Sequence, residues 1–254
     1  MIAARLHRIG EKLSIDDVRI PTVGADDVLV DVRAAGICRS DINYRDGIAP
    51  VRKLPITLGH EIAGVVAKVG DKAKVVKEGD RVCVHYILSC GSCVFCRSGR
   101  ENYCVEYRMM GKDVDGGFAQ YVKAPSRNIV KLPDAVPFEH GAILGCAVST
   151  AFHALRRGRV QVGDTVVIFG VGGLGAHAVQ LAAKVFKARK VIAVDLYNEK
   201  LRVAKKLGAS HVVNAAERNP AEDVRRVTDG RSADVVLDFV GHDRTIGEAI
   251  DCVG

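Results

Sequence analysis

The apolar positions follow two different patterns along the chain. Up to about residue 132 they come in short, β-branched runs. Residues 2–6, 13–20, 28–32, 62–69 and 81–86 read as strands, punctuated by Pro21, Gly24 and a turn at Gly79-Asp80. Residues 116–122 and 128–132 extend the series. Many short strands joined by glycine turns predict a small barrel or sandwich. Pro133 and Pro137 break this pattern, and apolar residues from 138 to 155 recur at helical spacing. From Asp164 the pattern changes again. Residues 165–169 form an unbroken apolar run, as expected of a parallel strand buried on both faces. An Ala-rich helix is predicted over 176–186, a strand over 191–194, a helix over 199–207 and a strand over 211–213. A helix over 221–227, a strand over 233–239 and a last helix over 243–250 complete the series. The fold class is therefore α/β with a β-rich domain in front.

Composition narrows the function classes. The chain has 254 residues, enough for two domains, and its 48% hydrophobic and 26% charged content is that of a soluble globular protein. The net charge of +7 is scattered, with no run dense enough for a nucleic-acid tail, so it offers a phosphate-bearing cofactor only a modest attraction. The N-terminus carries charges where a signal peptide needs an apolar run, and the longest apolar stretch, near 142–152, is too short to span a bilayer. A cytoplasmic protein with neither nucleic-acid nor membrane partners is expected. In that setting eight cysteines point to metal ligation or catalysis before disulfides.

Cys90, Cys93, Cys96 and Cys104 fall in a loop rich in Gly and Ser with the spacing Cys-x2-Cys-x2-Cys-x7-Cys. They suit a closed structural zinc site with four thiolates; an iron–sulfur cluster also fits the spacing, and two disulfides are the third possibility. Further on, Gly170-Val171-Gly172-Gly173-Leu174-Gly175 follows a strand, opens a helix and has Asp195 twenty residues after Gly175. That context makes it a dinucleotide fingerprint. Gly170 permits the turn, Gly172 lets the backbone approach pyrophosphate, and Gly175 lets helix and strand pack closely. The helix N-terminus attracts the phosphates. Asp195 would accept hydrogen bonds from the ribose hydroxyls and repel a 2′-phosphate, favouring NAD over NADP.

Cys38, His60 and Cys146 complete the candidate chemistry. Two thiolates and an imidazole supply three ligands to one metal ion and leave a fourth position open, as catalytic zinc requires. Taken alone, His60 is an ordinary histidine and Cys146, in apolar surroundings, an ordinary core residue. The remaining motifs change that reading. Gly59-His60-Glu61-x-x-Gly64 with Gly70 beyond it, Gly79-Asp80-Arg81-Val82, the four-cysteine loop and the glycine fingerprint occur in one order. Over the whole chain, this order resembles zinc-dependent alcohol dehydrogenases of the medium-chain dehydrogenase/reductase superfamily.

The resemblance implies a GroES-like catalytic barrel over 1–150, with a structural-zinc lobe at 90–104. A truncated Rossmann doubly wound parallel sheet that binds NAD follows over 151–254. It implies catalytic zinc on Cys38, His60 and Cys146, with Glu61 as the acid beside the metal and Ser40 as the hydroxyl that bonds the substrate oxygen. Arg39 would meet the cofactor pyrophosphate, Thr150 and Leu174 would pack the nicotinamide, and Lys200 would lie near the adenosine ribose. The implied reaction is reversible hydride transfer between an alcohol and NAD, giving an aldehyde or ketone. The partner is a small-molecule alcohol or carbonyl substrate, and the full-length protein is expected to be a homo-oligomer.

Two features depart from the family pattern. Asn43 stands where many members carry a proton-relaying His, and an amide is no general base at neutral pH. The family also continues with two more strands of the cofactor sheet. The four strands present, in expected order 3-2-1-4, would leave 235–237 as an exposed apolar edge, which suggests a fragment or shortened product. Two rival functions follow. One is an inactive folded fragment that retains zinc. The other is a non-enzymatic zinc-binding interaction module working through residues 90–104, although Arg97, Arg100, Phe95 and Tyr103 make a thin nucleic-acid platform. His85 is expected at the surface or in the core, and Cys83 and Cys252 as packing residues.

Overall fold

A computed structural model describes residues 1–254. The chain divides into two compact units, Met1–Cys146 and Ala147–Gly254. No helix is long and apolar enough to cross a membrane.

The first unit is built on a five-stranded antiparallel sheet. Its spatial order is Ile129–Lys131, Arg81–Val84, Glu61–Val69, Asp27–Gly36 and Tyr121–Pro125. Val28, Val30, Ile62, Val66, Val82, Val84, Val122 and Ile129 bury one face of it around Met110. The strand Asp27–Gly36 changes register against Glu61–Val69 twice, between Leu29 and Val30 and between Val32 and Ala34. Such bulges bend a strand and increase its twist. A second sheet pairs Ile2–Leu6 with Ser14–Asp17 and Ile56–Thr57. The strand predicted over 13–20 is thus shorter, running Ser14–Asp17, with Val18 still hydrogen-bonded to Met1 beyond its end. The strand predicted over 116–122 begins only at Tyr121. Gly116, Gly117 and Phe118 instead donate their N–H groups to the carbonyls of Thr57, Gly59 and Leu58, tying an irregular segment to the strand pair before it.

The helical stretch predicted over 138–155 is three pieces: an α-helix at Phe138–Ile143, a π-helical turn at Leu144–Val148 and an α-helix at Ser149–Arg157. Apolar spacing does not distinguish a π turn from an α turn over five residues.

The second unit is a four-stranded parallel sheet in the order His211–Asn214, Lys190–Asp195, Thr165–Phe169, Val235–Asp238. That is the expected 3-2-1-4. The apolar run at its centre is explained by alternation. Val166 and Ile168 enter a cluster with Ala178, Val179 and Ala182, while Val167 and Phe169 face the opposite side with Ile192, Val213 and Val224. Cys252 is fully buried in the latter cluster, as a packing residue should be. The strand at 235–238 is the edge of the sheet, as expected, paired with Thr165–Phe169. Its faces are half-buried, since Val235 and Leu237 pack on one cluster and Val236 on the other.

The glycine turn is shaped by close approach. Gly170 has φ +82°, in the left-handed region that favours glycine. A Cβ on Gly175 would overlap the Gly170 carbonyl oxygen, whereas a Cβ on Gly172 would meet nothing within 4 Å. Gly175→Ala is therefore expected to destabilise the protein by about 1–3 kcal/mol through overpacking. Gly172→Ala should leave urea unfolding unchanged; equal effects would show that Gly175 is not a packing requirement.

Candidate metal centre and nucleotide turn

Three separate local structures bring the first ligand set together. Cys38 follows the strand Asp27–Gly36 and caps the N-terminus of the helix Arg39–Arg45. His60 sits just before the strand Glu61–Val69 and is 1% exposed. Cys146 lies in the π turn, buried. π turns recur at functional sites because the extra residue re-aims a side chain. Ligand atoms of Cys38, His60, Glu61 and Cys146 all lie within 4.8 Å of one another. Glu61 is buried, and its carboxylate lies where a Cβ on Gly36 would be.

A residue not singled out from the sequence organises this group. Asp41 is 3% exposed. Its Oδ2 accepts the Cys38 N–H at 2.9 Å, and its Oδ1 lies 3.2 Å from both the Gly59 N–H and His60 Nδ1. Bonding at Nδ1 leaves Nε2 of His60 as the metal-binding nitrogen, the arrangement common to histidine ligands. The sequence signal for Asp41 is slight: an acid three residues after a candidate ligand, at the third position of a helix. Ser40 Oγ lies 3.8 Å from Cys38 Sγ.

The protons of this pocket mark it as a cation site. The Cys38 thiol is pulled down to about 3, chiefly by its hydrogen bond with Cys146 and against burial, with His60 adding to the shift. Burial opposes the charge on His60, but hydrogen bonds and charges of Asp41 and Cys38 outweigh it and raise His60 to about 9. Two sulfurs, an imidazole and a nearby carboxylate suit zinc, whereas calcium and magnesium require mostly oxygen donors.

The four-cysteine loop closes on itself. The sulfur of Cys96 lies 3.8 Å from that of Cys90 and 3.5 Å from that of Cys93. A tetrahedron with zinc–sulfur arms of 2.3 Å has edges of about 3.8 Å, whereas a disulfide needs about 2.05 Å. An iron–sulfur cluster would interpose several atoms and spread the thiolates further. The N–H groups of Cys93 and Cys96 donate to the sulfurs of Cys90 and Cys93 at 3.3 and 3.5 Å, and that of Cys90 to Cys104 at 3.3 Å. All eight cysteines are free thiols. His85 is exposed, and Cys83 is buried against Ala63 and Ala142.

In the second unit, Asp195 is buried beneath the glycine turn. Its Oδ2 accepts the Val171 N–H at 2.8 Å, and its Oδ1 accepts the Tyr197 N–H at 3.1 Å. The carboxylate therefore shapes the turn. Each oxygen retains a second lone pair for a ribose hydroxyl. Lys200 is exposed, with its ammonium 3.7 Å from Asp195 Oδ2 and 4.9 Å from the Tyr197 ring centroid. The helix opened by the turn runs Gly173–Lys184, three residues earlier than predicted, with Gly172 as its cap. Leu174 lies in its first turn, and Thr150 lies near the start of the neighbouring helix Ser149–Arg157; both are half-buried. Arg39 is exposed beside Cys38 in the first unit.

Comparison with known proteins decides the family. Residues 24–134 match the alcohol dehydrogenase GroES-like domain and residues 173–254 the zinc-binding dehydrogenase domain. An NAD-dependent alcohol dehydrogenase of Sulfurisphaera tokodaii is 36% identical over 97% of this chain and 73% of its own length. The chain belongs to the zinc-binding alcohol dehydrogenase family. A sorbitol dehydrogenase of Bacillus subtilis is 37% identical to this dehydrogenase over its whole length and 72% of the relative's. The solved alcohol dehydrogenase TADH from Thermus sp. ATN1 superposes on it with a TM-score of 0.94 at 33% identity, covering 100% of this chain and 74% of the other. The GroES-like and Rossmann architecture of the dehydrogenase is thereby shown.

Two outcomes follow for the metal centre. Asp41→Asn should weaken zinc binding at the three-ligand site by about 10- to 100-fold in chelator competition. Zinc must also displace the proton that His60 holds below about pH 9. Affinity should therefore rise with pH by roughly tenfold per unit for each proton displaced, and that proton's contribution should level off above that pH. Proton release measured by titration calorimetry in two buffers checks the sign.

Proposed function

We propose that the protein is a zinc-dependent oxidoreductase that transfers a hydride reversibly between a small alcohol and NAD, producing an aldehyde or ketone. The convergence of Cys38, His60 and Cys146, with Glu61 alongside, carries this reading. Zinc, when bound there, supplies Lewis acidity that lowers the pKa of an alcohol, and NAD supplies the hydride acceptor.

The chain's own groups do the rest. Asp41 holds His60 in one tautomer and fixes the backbone of Cys38 and Gly59, so two of the three ligands are pre-oriented. Ser40, the second residue of the helix that Cys38 caps, presents a hydroxyl beside Cys38 that takes the substrate hydroxyl proton by hydrogen bond. Asn43 supplies no base, so the proton leaves Ser40 toward solvent. Glu61, buried next to the ligands, would be a further carboxylate donor to a metal held there. Cys90, Cys93, Cys96 and Cys104 hold a second, structural zinc.

In the other unit the turn at Gly170, Gly172 and Gly175 cradles pyrophosphate. Thr150 and Leu174 pack the nicotinamide. Asp195 and Lys200 bind the adenosine ribose, and the negative charge of Asp195 supports NAD over NADP. Eight free thiols and family membership support a cytoplasmic location, and family membership also supports self-association into a homo-oligomer.

Cys38→Ser is expected to bring turnover of simple alcohols to background while NADH binding, followed by fluorescence, changes little. Wild-type turnover that survives complete removal of zinc would overturn the mechanism. A chain that holds two zinc ions yet binds no NADH would instead support the inactive-fragment alternative.

A further inference from the structure

Residues 85–90 lead from the three-ligand site into the four-cysteine loop, and the short 3-10 turn Ser126–Asn128 fastens them along the way. Arg127 donates a guanidinium N–H to the Ser89 carbonyl. Asn128, only 3% exposed, donates its amide Nδ2 to the carbonyls of His85 at 2.9 Å and Ile87 at 2.7 Å. Its own carbonyl accepts the His85 N–H at 2.8 Å. The orientation of that amide is dictated by its neighbours. Turning it over would set Oδ1 against two carbonyl oxygens, and as it stands Oδ1 is buried with no partner. The fold thus leaves one acceptor unsatisfied and in return grips both carbonyls that flank Tyr86. The Tyr86 carbonyl is held as well, by the Met110 N–H at 3.1 Å.

Tyr86 is the part of this segment that reaches the metal centre. Its ring lies 5.0 Å from the His60 ring, tilted by 54°. The side chain therefore packs directly on one of the three ligands, although it is itself no ligand.

We propose that Asn128 is a positioning residue for the metal centre, acting through Tyr86, which it holds against His60. The proposal rests on Cys38, His60 and Cys146 forming a zinc site. Partners of metal ligands that fix their orientation change metal retention by about 10- to 100-fold when lost, and Tyr86 is placed to be such a partner.

The test follows release of zinc from the loaded chain to a chromogenic chelator, with the phase belonging to the three-ligand site identified by its absence in Cys38→Ser. Asn128→Ala should speed that phase by about tenfold and leave the four-cysteine phase within about twofold. Tyr86→Leu should do the same, and the double variant should be no faster than Tyr86→Leu alone, since both act through one contact. Equal acceleration of both phases would reduce Asn128 to a general structural role and overturn the proposal, as would additive effects in the double variant. Should Asn128→Ala fail to fold, Tyr86→Leu still decides: unchanged release from the three-ligand site overturns it. A wild-type chain that takes up zinc only in the four-cysteine loop would remove the metal-site reading itself, an outcome visible before any variant is made.

Discussion

The first unit depends on one buried carboxylate. Asp41 accepts hydrogen bonds from two backbone N–H groups on separate segments and meets the imidazole of His60. A carboxylate at 3% exposure is costly unless its lone pairs are occupied, and hydrogen bonds to charged groups contribute about 1.5–3 kcal/mol each. The same contacts that make its burial tolerable determine where Cys38 and His60 can be. Stability and ligand geometry are here one requirement, so the site is stiff because the loop is.

The second unit repeats the device with different residues. Asp195, at the end of its strand, accepts the N–H of Val171 in the glycine turn and that of Tyr197 in the following loop. In both units a carboxylate at a strand-to-helix junction fastens backbone around the place where chemistry or binding is proposed. The surrounding cores are ordinary: small aliphatic residues alternate across the parallel sheet and fill one face of the antiparallel one. The chain has no Trp and few aromatics, so Tyr86 and Phe169 are among its few large buried or half-buried ring contributors.

Much of this was legible in the sequence because the informative residues are local. The glycine turn, its preceding apolar strand and Asp195 all fall within residues 165–195, and their order predicts both the topology and the turn. The four cysteines are similarly close. The three-ligand set is different, since nothing near Cys146 distinguishes it from a core cysteine and only the family pattern suggested it. Asp41 and Asn128 were invisible for a related reason: each acts on backbone groups far along the chain, and such pairings leave no periodicity. The strand at 235–238 was legible as the sheet's edge; that it also packs on both faces, through Val235, Val236 and Leu237, was not. Strand ends were misplaced where loop N–H groups found partners outside the ladder, as at Gly116 to Phe118.

The π turn at Leu144–Val148 has a bearing on how this region tolerates change in length. It carries one residue more than an α turn of the same span, and each residue of an α-helix rotates the side chain by about 100°. Deleting a single residue there would relax the turn to regular helix and swing the sulfur of Cys146 away from its partners. The surplus residue thus sets the direction in which the Cys146 sulfur points, so a change of one amino acid in length at this point would relocate a ligand rather than merely reshape a loop.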